Sequence, residues 1–193
     1  MKKIVLFLMM MLPLTVMGQE ESSHLTFKGV PIDGTRNEFV QKLKQKGFTL
    51  IGTEDGATLL KGDFSCFKGC LIGVTTLQKK DLVNKIAVIL PGQETWQLLS
   101  KNYFDLKDML TEKYGKPDDV IEEFQGYFEP ESDNSKMHAV KMDNCKYITT
   151  FKTPKGTIQL TIQHFEYSKG TVALLYFDKI NTEAVIADAM DDL

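Results

Sequence analysis

The sequence predicts an α+β protein: an antiparallel sheet with helices packed on one face, built as two tandem helix-plus-three-strand units. Three observations carry that expectation. Helical spacing appears twice, in NEFVQKLKQKGF and from Glu94 to Lys113, and each time gives way to short runs of period two. The segment TIQLTIQH alternates cleanly, with Ile158, Leu160 and Ile162 to one side and Thr157, Gln159, Thr161 and Gln163 to the other. A strand with one polar face belongs to an antiparallel sheet open to water on that side. Each helix has a single apolar stripe, so the helices must cover the opposite face.

The chain opens with MKKIVLFLMMMLPLTVMGQ. Lys2 and Lys3 form a basic start, Ile4 to Leu14 an apolar run, and Val16 and Gly18 place small residues before Gln19, which is the pattern of an export leader over 1–18 cut between Gly18 and Gln19. The run is shorter than the roughly 20 apolar residues of a membrane span. Gln19 stands where a lipoprotein would have Cys, so the expected product is a periplasmic or secreted protein without a lipid anchor. The expected mature chain, 19–193, is one α+β domain with repeat-like halves of about 24–92 and 93–193.

In the first half, Gln19 to Ser23 reads as a polar tail, and Leu25, Phe27 and Val30 as a short strand ending at Pro31. Thr35 is a good helix N-cap and Glu38, three residues on, its capping-box partner. Phe39, Val40 and Leu43 then follow helical spacing from about Arg36 to Lys46, and Gly47 stops the helix. Three β-prone stretches follow: Ala57 to Phe64, Leu71 to Leu77, and Leu82 to Leu90, the last closed by Pro91-Gly92.

The second half repeats the order. Trp96, Leu99, Tyr103, Leu106 and Leu110 recur along the helix from Glu94 to Lys113, which Gly115 and Pro117 close. Val120 to Phe128 reads as an extended segment, and Glu131-Ser132-Asp133-Asn134-Ser135 as an exposed loop. Strands are expected from Ala139 to Met142 continuing through Tyr147 to Phe151, from Thr157 to His164, and from Thr171 to Phe177, with hairpin turns at Thr153–Gly156 and Tyr167–Gly170. Thr182 to Met190 is a last short helix, with Asp191-Asp192 at its unfavourable negative end.

Taken together, FKGVPIDGTRNEFVQKLKQKGF, the LLKGDFSCFKG turn region, and YGKP followed by FKTPKGTIQLTIQ give the chain a tandem organisation that resembles the β-lactamase-inhibitor-protein-like fold, as in small secreted proteins of Bacteroides-type bacteria. The resemblance implies a fold and a protein-binding mode of life. It implies no inhibition of β-lactamases, because the inhibitor's binding residues have no counterparts here.

Composition narrows the chemistry. With 23 basic and 26 acidic residues and a net charge of −3, the chain lacks the basic excess that draws nucleic acid. Three cysteines, Cys66, Cys70 and Cys145, leave several arrangements open: a Cys66–Cys70 bridge across a hairpin, a bridge from Cys145 to either, or three free thiols. Cys66 and Cys70 with His24, His138 or His164 lack the second paired module of a structural zinc site, so no metal or other cofactor is expected. Cys145 with His138 or His164 has the residue types of a thiol nucleophile and base, but no nucleophile elbow accompanies them. The carboxylates Asp118, Asp119, Glu122, Glu123, Glu129 and Glu131 fall in a polar stretch, where solvent keeps both members of a pair ionised.

Aromatic residues in loops remain. Phe67, Tyr127 and Phe128 are the candidate contact residues, since exposed aromatics dominate binding energy. The expected function is that of an exported, non-enzymatic binding protein holding another protein or an envelope component; the alternative is a small periplasmic hydrolase. The binding reading expects a largely polar open sheet face, a rim of exposed aromatics and no buried titratable cluster.

Overall fold

A computed structural model describes residues 22–77, 80–126 and 130–190. The leader, the Gly18–Gln19 junction, Tyr127, Phe128, Glu129 and Asp191-Asp192 lie outside the described residues.

The described chain opens on a tight hairpin, β1 (Thr26–Phe27) and β2 (Val30–Pro31), turned by Lys28 and Gly29 in the left-handed region at φ 53° and 76°. Two consecutive positive φ values make the twisted two-residue turn that matches strand twist. Helix α1 (Arg36–Gln45) follows, with the capping box formed as expected: the Thr35 hydroxyl accepts from Glu38 N–H and the Glu38 carboxylate accepts from Thr35. Gly47, at φ 93°, lets the chain reverse after it.

Four antiparallel strands come next: β3 (Thr49–Glu54), β4 (Ala57–Phe64), β5 (Phe67–Thr76) and β6 (Val83–Ile89). Helix α2 (Trp96–Tyr114) is capped by Thr95 and leads into β7 (Asp119–Phe124). Helix α3 (Asp133–Lys141) precedes β8 (Cys145–Thr153), β9 (Gly156–Phe165) and β10 (Lys169–Asp178), and α4 (Lys179–Met190) ends the described chain. The eight long strands form one antiparallel sheet in the order β3-β4-β5-β6-β10-β9-β8-β7. The α+β class with an antiparallel sheet is therefore established.

Three elements differ from expectation. A fourth strand, β3, stands ahead of the first three; its residues are all exposed and it forms a sheet edge, so no alternation marks it. Glu131 to Ser135 is not a loop. Ser132 caps α3 with Ser135 as its box partner, and Met137 and Val140, three apart, bury the helix's inner side. Ala139 and Val140 accordingly belong to a helix, and the following strand begins only at Cys145.

Side-chain contacts put α1, α2 and α3 on one face of the sheet. The Arg36 guanidinium donates to Thr76 Oγ1, Tyr103 and Thr149 share a buried hydrogen bond, and Lys107 pairs with Glu122. Gly170 lies so close under α2 and α3 that a Cβ there would overlap Leu99 Cδ2 and stand 3.2 Å from Val140 Cγ1. The core beneath the helices is one contiguous cluster running from Leu25 to Tyr176. It includes Ile158, Leu160 and Ile162, the apolar side of TIQLTIQH.

The segment at His24 and Leu25 meets the junction of β10 and α4 at one end of the sheet. Asp178, 0 % exposed, accepts from Leu25 N–H (2.8 Å), His24 Nδ1 (3.0 Å) and Asn181 N–H (3.0 Å). It thereby caps α4 and anchors the segment at His24 and Leu25. Asn181 donates in turn to the carbonyls of Ile32 and Val83. His24, one residue past the expected polar tail, is thereby held in place.

Candidate binding face

The face opposite α1–α3 is assembled by strand register. Leu59, Gly73, Ala87, Leu175, Gln159 and Thr150 lie side by side from β4 to β8. The next row is Lys61, Leu71, Ile89, Ala173, Thr161 and Ile148. A third holds Thr75, Lys85, Phe177, Thr157 and Lys152. Leu59, Leu71, Ile89, Leu175 and Phe177 are half-buried, and Phe177 lies in a cleft that the start of α4 lines with Lys179, Thr182 and Glu183.

The face is thus apolar over β4, β5, β6 and β10 and polar over β9, which departs from the largely polar surface expected. The reason is positional. In the centre of the sheet both faces carry apolar residues, so the alternation that marks β9 is absent there.

Charge has a pattern too. Lys61, Lys85 and Lys152 stand at the margins of this face, and among the described residues none of them has an ion-pair partner. Edge strand β7 brings the carboxylates Asp119 and Glu123 to the same face, so its charge is mixed at that edge and cationic toward Lys61 and Lys85.

Two turns bound one end of the sheet. Cys66 lies in the β4–β5 turn and Tyr167 in the β9–β10 turn. The rows fix these turns at the same height, each the same distance along its strand from the Leu71–Ile89–Ala173 row. Tyr167 is 92 % exposed at φ 45°, its carbonyl contacted by His164 Nε2 at 3.0 Å. Sequence reasoning placed Tyr167 in a turn without seeing it as a contact residue. The available signal was an aromatic inside a Tyr-Ser-Lys-Gly turn between two apolar strands.

The predicted contact residue Phe67 opens β5, where it is half-buried and packed against the core cluster. The aromatics of α2 have neighbours as well: Trp96 packs with Phe124 and Tyr147 at ring separations of 4.9 and 5.1 Å.

All three cysteines are free, so the Cys66–Cys70 bridge is not formed. Cys70 is buried under the helices and donates weakly to the Phe67 carbonyl at 3.8 Å, whereas Cys66 sits exposed at the turn. Burial pushes the Cys145 thiol up to about 12 and raises that of Cys70, so both stay protonated at neutral pH. His138 is exposed on α3, and His164 is engaged by the Tyr167 carbonyl. Of the carboxylates in the polar stretch, Asp118, Asp119, Glu122 and Glu123 lie in or beside edge strand β7, and Glu131 stands just ahead of the α3 cap. Asp118 accepts from Lys152 N–H and Glu122 is paired with Lys107.

A largely buried titratable pair does exist, His24 with Asp178, flanked by the more exposed Asp33, but every contact of Asp178 goes to a donor that holds chain segments together. Among the described residues no group of three His, Cys, Asp or Glu side chains is arranged to hold a metal ion, and no helix is long and apolar enough to cross a membrane.

No protein-family model matches this chain, and no curated protein or solved structure matches it either.

Proposed function

We propose that this protein is an exported, non-enzymatic binding protein of the cell envelope that holds another protein, or an envelope component, across the face of its sheet opposite α1–α3. The observation that carries the reading is the half-exposed apolar set Leu59, Leu71, Ile89, Leu175 and Phe177 with unpaired lysines at its margin. Apolar surface gathered in one place is how soluble proteins present a docking site. The lysines fit a partner whose own apolar patch is rimmed with carboxylates, since complementary charge steers encounter and fixes register. Tyr167, exposed at one end of the sheet, has the character of a contact aromatic.

The two halves are read as tandem units. Each helix, α1 and α2, precedes four antiparallel strands, and β6 and β10 join the sets at the middle of the sheet. That arrangement makes one continuous face from β4 to β8, bounded beside Phe177 by the start of α4. Export rests on the leader pattern and predicts Gln19, or its cyclised pyroglutamate form, as the N-terminus found by mass spectrometry.

The test is capture from envelope extract by the purified mature protein and two variants. Leu59→Glu/Leu175→Glu places two carboxylates on the face, and Phe67→Ala removes the aromatic at the start of β5. The reading expects the double variant to lose the captured species. Capture undiminished by the double variant rejects this face as the binding surface.

A further inference from the structure

A second concavity lies on the other side of the sheet, between the Lys28–Gly29 turn and helix α2. It encloses about 280 Å³. Its floor is hydrocarbon: Phe64, Leu106 and Leu110 are core residues that surface here. At its base lies Tyr176, 5 % exposed, its ring set edge-on against Phe27 at 5.6 Å. The Tyr176 hydroxyl has no hydrogen-bond partner among the described residues, yet it is not sealed from solvent, so it opens on the cleft. A phenol buried to this degree ordinarily finds a partner. Burial also pushes its ionisation up, which keeps it a donor at neutral pH.

The rim is cationic. Lys28 and Lys113 line the cleft, and among the described residues no carboxylate lines it. Lys113 Nζ stands 4.9 Å from the centre of the Tyr114 ring, another lining residue. Asp63, whose charge reaches Lys28, is already held by Lys68 Nζ at 2.8 Å and by Gly69 N–H at 3.0 Å. Two cations and an unpartnered phenol over a hydrocarbon floor leave a negative charge unsupplied.

We infer that this cleft binds a small organic carboxylate with an apolar body, its charged end at Lys28 and Lys113 and its hydrocarbon over Leu106 and Leu110. The Tyr176 hydroxyl supplies a donor from below. Size restricts the ligand. The volume equals the liquid share of about nine water molecules and sits just under the ~300 Å³ at which drug-sized pockets begin. A medium-chain alkanoate or an arylalkanoate fits; a two-chain lipid does not. The site shares no named residue with the proposed protein-binding face and stands independently of it.

Octanoate, octanol and octylamine separate charge from hydrocarbon, and calorimetric titration of each into the purified protein tests the inference. Octanoate is expected to bind at least tenfold more tightly than octanol, and octylammonium not to bind measurably. Lys28→Gln/Lys113→Gln, at two exposed positions, is expected to bring octanoate down to the octanol level and leave octanol unchanged. Tyr176→Phe is expected to weaken octanoate severalfold. Amide shift changes on octanoate addition should fall on residues 26–29, 64–65 and 106–114. The inference is overturned if octanoate binds no better than octanol, if the lysine variant keeps wild-type octanoate affinity, or if the shifts map to the opposite face.

Discussion

Replacing Asp178 by Ala removes one carboxylate and three hydrogen bonds at once. The side chain is wholly buried and accepts from Leu25 N–H, Asn181 N–H and His24 Nδ1. Loss of the cap on α4 costs about 1 kcal/mol. Leaving the Leu25 N–H unsatisfied in a buried setting costs roughly 1–3 kcal/mol more. A total of about 3 kcal/mol follows from those two principles. With an m-value of about 2 kcal/mol/M in urea, the midpoint should fall by about 1.5 M. Hydrogen exchange sharpens the test, because the amides of Leu25 and Asn181 should lose protection well ahead of those in β5 and β6. His24→Ala alone should cost less, since both backbone donors keep their acceptor. A midpoint shift below about 0.5 M, or protection lost evenly across the sheet, would refute the idea that Asp178 pins the Leu25 segment to the start of α4.

Three further outcomes are expected. Gly170→Ala should destabilise by about 1–3 kcal/mol through overpacking, since its Cβ meets Leu99 and Val140; urea unfolding measures it, and an unchanged midpoint would show that α2 moves aside freely. Thiol labelling at pH 8 should modify Cys66 rapidly and spare Cys70 and Cys145 until the protein unfolds; equal rates for all three would contradict their placement. Stability should decline above pH 9, because the unfolded chain releases the Cys145 proton near 9.0 while the folded protein holds it to about 12. Below pH 9 this thiol is protonated in both states and contributes no pH dependence. Cys145→Ala should flatten the alkaline slope, and a slope identical to wild type would remove this thiol as its source.

Much of the architecture was legible where local signals agree. Helix α1 is marked by Thr35, Glu38 and Gly47 in one short stretch, and β9 by seven alternating residues. Helix α3 was not legible: its cap partner is Ser135 where the usual signature has Glu or Gln, and only Met137 and Val140 show its buried side. Strand β3 was hidden because an exposed edge has no inward face to alternate against. The anchoring of His24 by Asp178 joins residues 154 positions apart, which no local pattern encodes. The candidate face shows the same limit. Leu59, Leu71, Ile89 and Leu175 come from four strands, and only the register of the sheet brings them together. Tyr167 was present in the sequence as a turn residue; its exposure became visible only with the hairpin it crowns.

The most direct test of the binding face is photo-crosslinking inside the intact envelope of the source cells. A benzoylphenylalanine is placed at Leu59, at Leu175, or at the exposed control position Lys101 on α2. The proposed face predicts a discrete heavier adduct from positions 59 and 175, lost when Lys61 and Lys85 are changed to Glu, and no adduct from position 101. Adducts from position 101 as strong as those from the face, or none from positions 59 and 175, would contradict it.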